Sequence, residues 1–400
     1  MSNFQFSPGR VLLQDVFIRK QDGTKSDITP MVSEINIDCS LLDVTTTVRL
    51  FVNDDLSLLT AISIEAGDTV EVNLKYASDV VRTYNVFVIK IGDIVNGQSG
   101  RAYTVTCVSE FMFNSLKTKI SRSVAGNPAE ISQELLQEFT EEKIGVWQTA
   151  NSIKKYILPY QRPSQAIKFL AENSLSNDNT HMHFYQDSKM KYNFTSIENL
   201  IEMQSQDAHL NFVYNANTLN LNTEMELRQI ENLVYNEISD FPFHTNKMSN
   251  SSTCITTNIT SKEFDIVTHN YWRDFEDHVH LNKNPLYSSV EMDNTAQIKS
   301  KMVASKQQTN VPSNSFADKT SLKKTMVSAC HSIDIIVQSN ESLDVGMVVD
   351  ITIPKPSPHT KEDDGIDKMW SGKYLVFAKR EVIRNDEGRV ALTLIKDSKK

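Results

Sequence analysis

Residues 84–108 read YNVFVIKIGDIVNGQSGRAYTVTCV, and residues 372–396 read GKYLVFAKREVIRNDEGRVALTLIK. The second stretch follows the pattern of the first at an offset of 288 residues, without a gap. Each has a long run rich in β-branched and aromatic residues, a turn with Asn, Asp or Gly, and a second alternating run, which predicts a β-hairpin. In this alignment Tyr103–Cys107 falls on Ala391–Ile395.

The likeness between the two ends of the chain continues upstream of these hairpins. Gly67–Leu74 resembles Gly346–Ile353, and Val48–Val52 resembles Ile333–Val337. Few residues are identical, so the prediction of a duplicated β module rests on the order of the patterns. Such a duplication is typical of a protein that imposes symmetry on an assembly rather than one that carries out chemistry.

The second copy contains one extra stretch, Pro354–Trp370, which is rich in Pro and Asp. Because proline cannot pair within a central strand, this stretch is predicted to project as a loop. Its end, Met369-Trp370, is an apolar anchor that either contacts a partner protein or packs back onto its own barrel.

Strand patterns dominate both ends of the chain. The strands predicted between residues 10 and 110 are Val11–Arg19, Ile35–Cys39, Thr45–Val52, Thr69–Tyr76, Tyr84–Val95 and Tyr103–Val108. Those predicted near the end are Ile333–Val337, Val345–Ile353, Tyr374–Ile383 and Val390–Ile395. Successive strands joined by short turns indicate an antiparallel barrel or sandwich.

The middle of the chain mixes helical and strand patterns. One helix is predicted to start at Asn127-Pro128 and another after Pro163, followed by a hairpin over His181–Gln186 and Lys191–Thr195. Downstream, the capping box Thr223–Glu226 predicts the start of a helix with Leu227, Ile230 and Val234 on one face. Two strands are predicted over Thr253–Thr260 and Glu263–Tyr271, followed by a helix over Asp293–Gln308.

Composition excludes several functional classes. Hydrophobic residues are 40% and charged residues 23% of the 400, ordinary values for a folded soluble chain. No apolar run approaches the roughly 20 residues that span a bilayer, and no secretory signal is visible, so no stable membrane insertion is expected. The net charge of −9, without a basic stripe, argues against tight nucleic-acid binding. The scattered Cys39, Cys107, Cys254 and Cys330 are expected to be reduced thiols.

Two histidine pairs are the nearest approach to a metal site. His181-Met-His183 and His278-Val-His280 would each place two imidazoles on one face of a strand. Neither pair has a third ligand at a suitable spacing, so solvated histidines are favoured over a metal site.

Three carboxylate clusters are candidates for an acid–base pair, namely Asp54-Asp55, Glu141-Glu142 and Glu362-Asp363-Asp364. They fall in loops or helix ends, where solvated charge is expected. The sequence has no nucleotide-binding, hydrolase or metalloprotease motif. We therefore predict no catalytic, cofactor-binding or metal-binding residues, and a protein that is not an enzyme.

The order of these parts resembles one family, the baseplate central hub proteins of contractile-tailed bacteriophages, related to the late-control tail proteins and to the base of type VI secretion spikes. The resemblance is carried by the following stretches: Gln165–Ala171 with His183–Asp187, Ser252–Phe264, Val345–Ile351, Ser371–Val376 and Leu394–Asp397. None of them is a catalytic signature.

The resemblance implies an α+β, β-rich fold with two tube-like antiparallel β-barrel domains and a helix-plus-sheet insertion between them. It divides the chain into a first barrel over 1–112, an α+β domain over 113–210, the start of the second barrel over 211–245, an inserted β/helix segment over 246–330 and the remainder of the second barrel over 331–400.

The same resemblance implies a homotrimeric ring that adapts a six-fold tail tube to a three-fold spike. Its expected partners are the spike protein, the tail tube or tube-initiator protein, the baseplate wedge proteins and the tape-measure protein, with DNA only in transit through the channel. The expected location is the virion tail baseplate, assembled in the host cytoplasm, and no cofactor is expected.

Three alternatives are considered at this point. A receptor- or glycan-binding module from the virion periphery would have exposed aromatic clusters, whereas aromatic residues are 8% of this chain and mostly fall within predicted strands. The spike base of a secretion system or tailocin would use the same architecture. A tail-associated cell-wall hydrolase is less favoured, because such an enzyme needs a constellation of catalytic residues.

Overall fold

The structure is a computed structural model that describes residues 9–55, 62–97, 100–150, 154–176, 180–204, 210–214, 227–236, 251–258, 262–270, 275–286, 298–300, 331–355 and 365–400. Over these ranges the chain is rich in antiparallel β-sheet and contains four α-helices, which confirms the predicted fold class. None of these helices has the length and apolar character that crossing a bilayer requires.

The first module consists of seven strands from the N-terminal part of the chain. They are β1 (Val11–Arg19), β2 (Lys25–Asp27), β3 (Val32–Ser40), β4 (Thr47–Asp54), β5 (Thr69–Tyr76), β6 (Val81–Asn96) and β7 (Arg101–Val108). They pair antiparallel in the order β3-β4-β7-β6-β5-β1-β2. Alternate side chains point inward, as in β5, where Val70, Val72 and Leu74 are buried. All six strands predicted here are confirmed.

A small α+β domain follows the first module. Its elements are α1 (Glu110–Lys117), β8 (Ile120–Gly126), α2 (Pro128–Gln137), β9 (Ile144–Trp147), β10 (Lys154–Gln161), α3 (Pro163–Glu172), β11 (Met182–Gln186), β12 (Tyr192–Ser196) and α4 (Ile197–Met203). The predicted start of α2 is confirmed, because the Asn127 side chain accepts a hydrogen bond from the amide of Ala129 at 3.0 Å. The predicted helix after Pro163 and the β11–β12 hairpin are also confirmed.

The remaining strands belong to the second half of the chain. They are β13 (Leu210–Val213), β14 (Ile230–Tyr235), β15 (Ser251–Asn258), β16 (Glu263–Asn270), β17 (Asn284–Pro285), β18 (Ile298–Ser300), β19 (His331–Gln338), β20 (Val348–Thr352), β21 (Gly372–Arg384), β22 (Glu387–Lys396) and β23 (Ser398–Lys399). β15 and β16 form an antiparallel hairpin to which β18 adds in parallel. The second module pairs in the order β14-β19-β22-β21-β20-β13.

The predicted duplication is visible in the pairing of the strands. Val48 of β4 lies opposite Cys107 of β7, and Ile333 of β19 lies opposite Leu394 of β22. The central strands β4-β7-β6-β5 therefore correspond to β19-β22-β21-β20, and the predicted match of Val48–Val52 with Ile333–Val337 is confirmed.

Irregularities of the backbone recur at the same positions in both modules. The β6–β7 pair has a β-bulge between Val88 and Lys90, and the β21–β22 pair has one between Val376 and Ala378, at the offset of 288. The amide of Gly67 donates to the carbonyl of Val88, and that of Gly346 to the carbonyl of Val376, both at 2.8 Å. Because bulges are specific local features, their recurrence supports a common ancestry of the two modules.

The gapless alignment of the two hairpins is wrong by one residue after the turn. β6–β7 has a second bulge between Gly92 and Val95 that β21–β22 lacks. The buried residue Tyr103 consequently corresponds to the buried Val390 and not to Ala391. Val105 and Cys107 correspond to Leu392 and Leu394 in the same way.

Two helix predictions are also wrong. The helix with Leu227, Ile230 and Val234 on one face is replaced by β14, an edge strand whose pairing with β19 outweighs the local helical spacing. Ile298–Ser300, inside the helix predicted over Asp293–Gln308, is the strand β18. The capping box Thr223–Glu226 and the rest of the second helix lie outside the described residues.

The repeated glycine allows a matched test of backbone conformation. Gly67, Gly346 and the exposed Gly23 all have positive φ. They differ in the space available to an added Cβ. At Gly346 it would lie 2.8 Å from the Tyr185 hydroxyl, and at Gly67 it would lie 3.3 Å from the Phe113 ring. At Gly23 it would have no neighbour within 4 Å. We expect Gly23→Ala to lower the free energy of unfolding by about 1 kcal/mol through strain alone. Gly346→Ala should cost the most and Gly67→Ala an intermediate amount, as measured by urea denaturation. Equal losses at all three positions would contradict this ranking.

Candidate functional site at the joint between the two modules

One hairpin serves both modules. In the first part of β21, Gly372–Leu375 pairs with β20 of its own module. In its second part, Ala378–Arg384 pairs antiparallel with Glu34–Ser40 of β3, which belongs to the other module. The two modules therefore share one continuous sheet, and main-chain hydrogen bonds hold the joint.

The tip of this hairpin enters the first module between β3 and the start of β1. Ile383 belongs to the hydrophobic core of the first module. On the other side, the amide of Val11 donates to the carbonyl of Asp386 at 3.1 Å, and the amide of Gly388 donates to the carbonyl of Gly9 at 2.9 Å. A strand from the second module thus completes the wall of the first.

A buried ion pair lies beside the joint. Lys379 and Glu381 alternate with exposed positions on β21 and share the inward face with Ile383. The Lys379 Nζ lies 3.2 Å from Oε2 of Glu381, and both side chains are 0% exposed. Nζ also donates to the carbonyl of Leu343 at 2.9 Å, while the Ser339 hydroxyl donates to Glu381.

Residues from all three parts of the chain meet at this ion pair. Ser188, in the turn between β11 and β12, accepts hydrogen bonds at 3.3 Å from Lys379 and from Arg82 of β6. Its amide donates to Oδ1 of Asp344 at 2.8 Å. The network therefore fixes the α+β domain against both β modules at one point.

The two charges of the pair support each other. Burial disfavours the charged form of Lys379, but Glu381 and Asp344 outweigh it and raise the pKa of the ammonium. Burial likewise raises the pKa of Glu381, but Lys379 and the hydrogen bond from Ser339 outweigh it and lower the pKa of the carboxyl. Both groups stay ionised at neutral pH, so the arrangement is suited to fixing structure rather than to moving a proton.

The structure places the His181 and His183 rings next to each other, with centroids 5.0 Å apart. Both are buried, so the interpretation as solvated histidines is wrong. Within the described ranges, no group of three or more His, Cys, Asp or Glu residues is arranged to hold a metal ion.

His278 and His280 lie near two different carboxylates. Nδ1 of His278 is 3.6 Å from Oε1 of Glu198, and Nδ1 of His280 is 2.6 Å from Oδ2 of Asp397. The His280 ring also stacks on Phe275 with a centroid distance of 3.7 Å. These contacts connect the segment around residue 280 to α4 and to the C-terminal end of the chain.

The carboxylate clusters have different environments. Glu142 is half-buried and accepts hydrogen bonds from the amide of Glu110 and from Nε2 of Gln186, both at 3.0 Å. Burial, with a smaller contribution from the charge of Glu110, raises its pKa to about 7. Asp54 is buried and Asp55 exposed, so solvated charge was the wrong interpretation for Asp54 and Glu142. Glu362-Asp363-Asp364 lies outside the described residues.

Trp370 packs back onto its own module. It is 9% exposed, with its ring 4.4 Å from that of Tyr235 and 4.1 Å from that of His331. Of the two interpretations of the Met369-Trp370 end, the structure therefore supports packing for Trp370, while Met369 is exposed. Pro354 and Ile366 form a bridge at the base of the predicted loop.

Sequence reasoning missed the ion pair at the joint, although the signal was present. Lys379 and Glu381 occupy alternate positions of β21, on the face that Ile383 marks as inward. Charged residues at inward strand positions indicate a buried pair.

Comparisons with known proteins give the fold a context. No family model matches the sequence, and no curated protein matches it. Among solved structures, the tail protein from Neisseria meningitidis MC58 is similar, with 12% identity, coverage of 96% of both chains and a TM-score of 0.56. The 43 kDa tail protein of prophage MuSo2 from Shewanella oneidensis is similar with 9% identity, coverage of 96% of this chain and 98% of that chain, and a TM-score of 0.56.

A third similar structure is the lidded PdpA–VgrG complex of Francisella. It has 7% identity and a TM-score of 0.51, with coverage of 98% of this chain but only 53% of that chain. At such low identities the likeness concerns the fold. The predicted resemblance to tail proteins is confirmed at that level.

Breaking the ion pair should unfold the protein more easily. Lys379→Met leaves Glu381 buried without its partner, so we expect a loss of about 3–5 kcal/mol in the free energy of unfolding, and Lys379→Met with Glu381→Leu should recover most of it. The control is Arg380→Met on the same strand, which removes an exposed ion pair with Asp38 and should cost less than about 1 kcal/mol. A double variant no more stable than Lys379→Met would contradict the prediction.

Glu142 should make stability depend on pH. Its folded pKa of about 7 lies above the ordinary 4.5, so its favourable contribution is present below pH 4.5 and lost as pH rises through 7. In the parent protein, Glu142 should lower the free energy of unfolding by on the order of 2 kcal/mol between pH 5 and pH 8. Glu142→Gln mimics the protonated carboxyl and should abolish this decrease. Urea denaturation at both pH values measures it, and identical pH profiles would exclude this role.

Proposed function

We propose that the chain is the central hub of a contractile phage tail baseplate, and that three copies form a ring between a six-fold tail tube and a three-fold spike. The observation that carries this proposal is the joint between β3 and β21. It links two equivalent β modules edge to edge within one chain, and their central strands have the same order and a bulge at the same position.

A ring of three such chains would contain six similar modules. Two modules joined side by side supply two of the six positions of a pseudo-six-fold wall, and closed head-to-tail contacts between three chains generate the rest. The outer features that differ between the modules would keep the true three-fold symmetry. This combination is what an adaptor between six-fold and three-fold partners requires.

The partners follow from that position. The tail tube or tube-initiator protein would lie on one face and the spike protein on the other, with baseplate wedge proteins around the ring. The tape-measure protein and then DNA would pass through the channel during genome ejection. The net charge of −9 is compatible with a channel to which DNA does not adhere. The protein would be part of the virion, assembled in the host cytoplasm.

The division into two barrels, an α+β domain and an inserted segment, with the boundaries predicted above, is part of this proposal. A structural role without catalysis agrees with the site, because its charged groups are buried and paired with each other. The spike base of a secretion system or tailocin is the second candidate, and the likeness to the Francisella complex favours it over a hydrolase.

The mass of the purified protein in solution tests the proposal. At micromolar concentration, light scattering should give about three times the chain mass of 45.4 kDa. A stable monomer that clears bacterial cell wall in a turbidity assay would instead support the hydrolase. Labelling of intact phage particles with an antibody to the protein should mark the baseplate, and labelling of a cell-envelope secretion apparatus alone would favour the second candidate.

A further inference from the structure

The second module has an edge that corresponds to the edge filled at the joint. β14 occupies the position in the second module that β3 occupies in the first. Leu233 of β14 lies opposite Ile335 of β19, and Ile35 of β3 lies opposite Leu50 of β4, the counterpart of β19. Both pairs also carry a bulge at the same place, between Val32 and Glu34 in one and between Ile230 and Asn232 in the other.

The outer edge of β3 is covered by β21, but that of β14 carries no strand within the described residues. At its start, the preceding residue Gln229 bridges Val213 of β13. Beyond this point, β19 is the only partner of β14 among the strands that the structure describes. Val234 and Tyr235 of this edge strand are 48% and 45% exposed, so a strand added at the edge would cover apolar side chains.

The first module has a strand extension that corresponds to the one at the joint. Up to Phe87, β6 pairs with β5, as the first part of β21 pairs with β20. After the shared bulge, Lys90–Asn96 pairs with β7 alone within the described residues. Ile94 and Val95 are 53% and 63% exposed there, whereas Val382, the β21 residue that corresponds to Val95, is half-buried at the joint.

We propose that the Lys90–Asn96 extension of one copy adds antiparallel to the outer edge of β14 in a second copy of this chain. The contact would repeat between chains the joint that β21 and β3 form within each chain. The inference rests on the proposed ring and specifies the surface that closes it. Its energy would come from main-chain hydrogen bonds and from the burial of exposed apolar side chains on both edges.

Each copy offers one extension and one edge, so the contact is heterologous. Such contacts close into a ring when the rotation between copies matches. The joint inside the chain already sets the angle between one module and the next. The same geometry repeated between chains would make all six contacts of the ring alike.

The joint also predicts the register. Val382 of β21 lies opposite Asn36 of β3 and, within its hairpin, opposite Arg389. Val234 is the β14 residue that corresponds to Asn36, because each lies four residues after the start of its bulge. In the extension, Val95 lies opposite Ala102, which corresponds to Arg389. Val95 of one copy should therefore lie opposite Val234 of the next.

Paired cysteines test this register directly. In a background with Cys254→Ser and Cys330→Ser, the variant Val95→Cys with Val234→Cys should cross-link on oxidation and run as a covalent trimer on a non-reducing gel. The other two cysteines, Cys39 and Cys107, are buried and should not compete. The matched control is Val81→Cys with Val234→Cys, which places an exposed thiol at the far end of β6 and should leave monomers.

A mixing experiment separates links between chains from links within one. Val95→Cys and Val234→Cys chains, refolded together, should give covalent dimers, whereas each alone should give none. Two outcomes would overturn this inference and leave the proposed function standing. One is a cross-link inside a single chain. The other is a protein that is a trimer by light scattering but whose cysteines at positions 95 and 234 do not cross-link. A background protein that is monomeric by mass would overturn both.

Discussion

An unpaired strand edge is the constraint on which this structure depends. A sheet of twisted strands ends in a row of amides and carbonyls that must find partners, and the first module meets this need with a strand from the other end of the sequence. β21 continues beyond the part that pairs with β20, and its second part, Ala378–Arg384, makes that contact before Asn385 and Asp386, both with positive φ, turn the chain into β22. Closing the first barrel and joining the two modules are therefore the same event.

The buried charges at the joint have a different role from the backbone pairing. Main-chain hydrogen bonds tolerate a shift of register, because every residue supplies a donor and an acceptor. A slip would move Lys379 and Glu381 together, but away from the Leu343 carbonyl and the Ser339 and Ser188 hydroxyls, and would leave two buried charges without these hydrogen bonds. We interpret the ion pair as the element that selects one register and one orientation, at little net gain in stability. Ser188 extends the same restriction to the α+β domain.

Strands were predictable from the sequence because alternation of apolar residues is a local property, and β5 was predicted with its observed ends. The errors came from non-local causes. Ile230 and Val234 have helical spacing, yet pairing with β19 makes them part of a strand. The one-residue slip of Tyr103 arises from a bulge near Asp93, whose positive φ no sequence pattern announced. The joint could not be predicted, because nothing in the sequence of β3 specifies which strand lies beside it. The charged residues Lys379 and Glu381 at inward positions indicated only that β21 contains a buried polar site.

The two modules are alike where they pair and different elsewhere. Strands β3 to β7 have counterparts with the same order and two bulges in common, but β1 lies antiparallel to β5 whereas β13 lies parallel to β20. The tips of the two long hairpins also differ by one bulge. In a ring of the proposed kind, only the pairing edges must repeat six times, since each has to accept the same kind of strand extension. The other faces are free to diverge, and that divergence is what would present three-fold features to a spike while the wall itself remains close to six-fold.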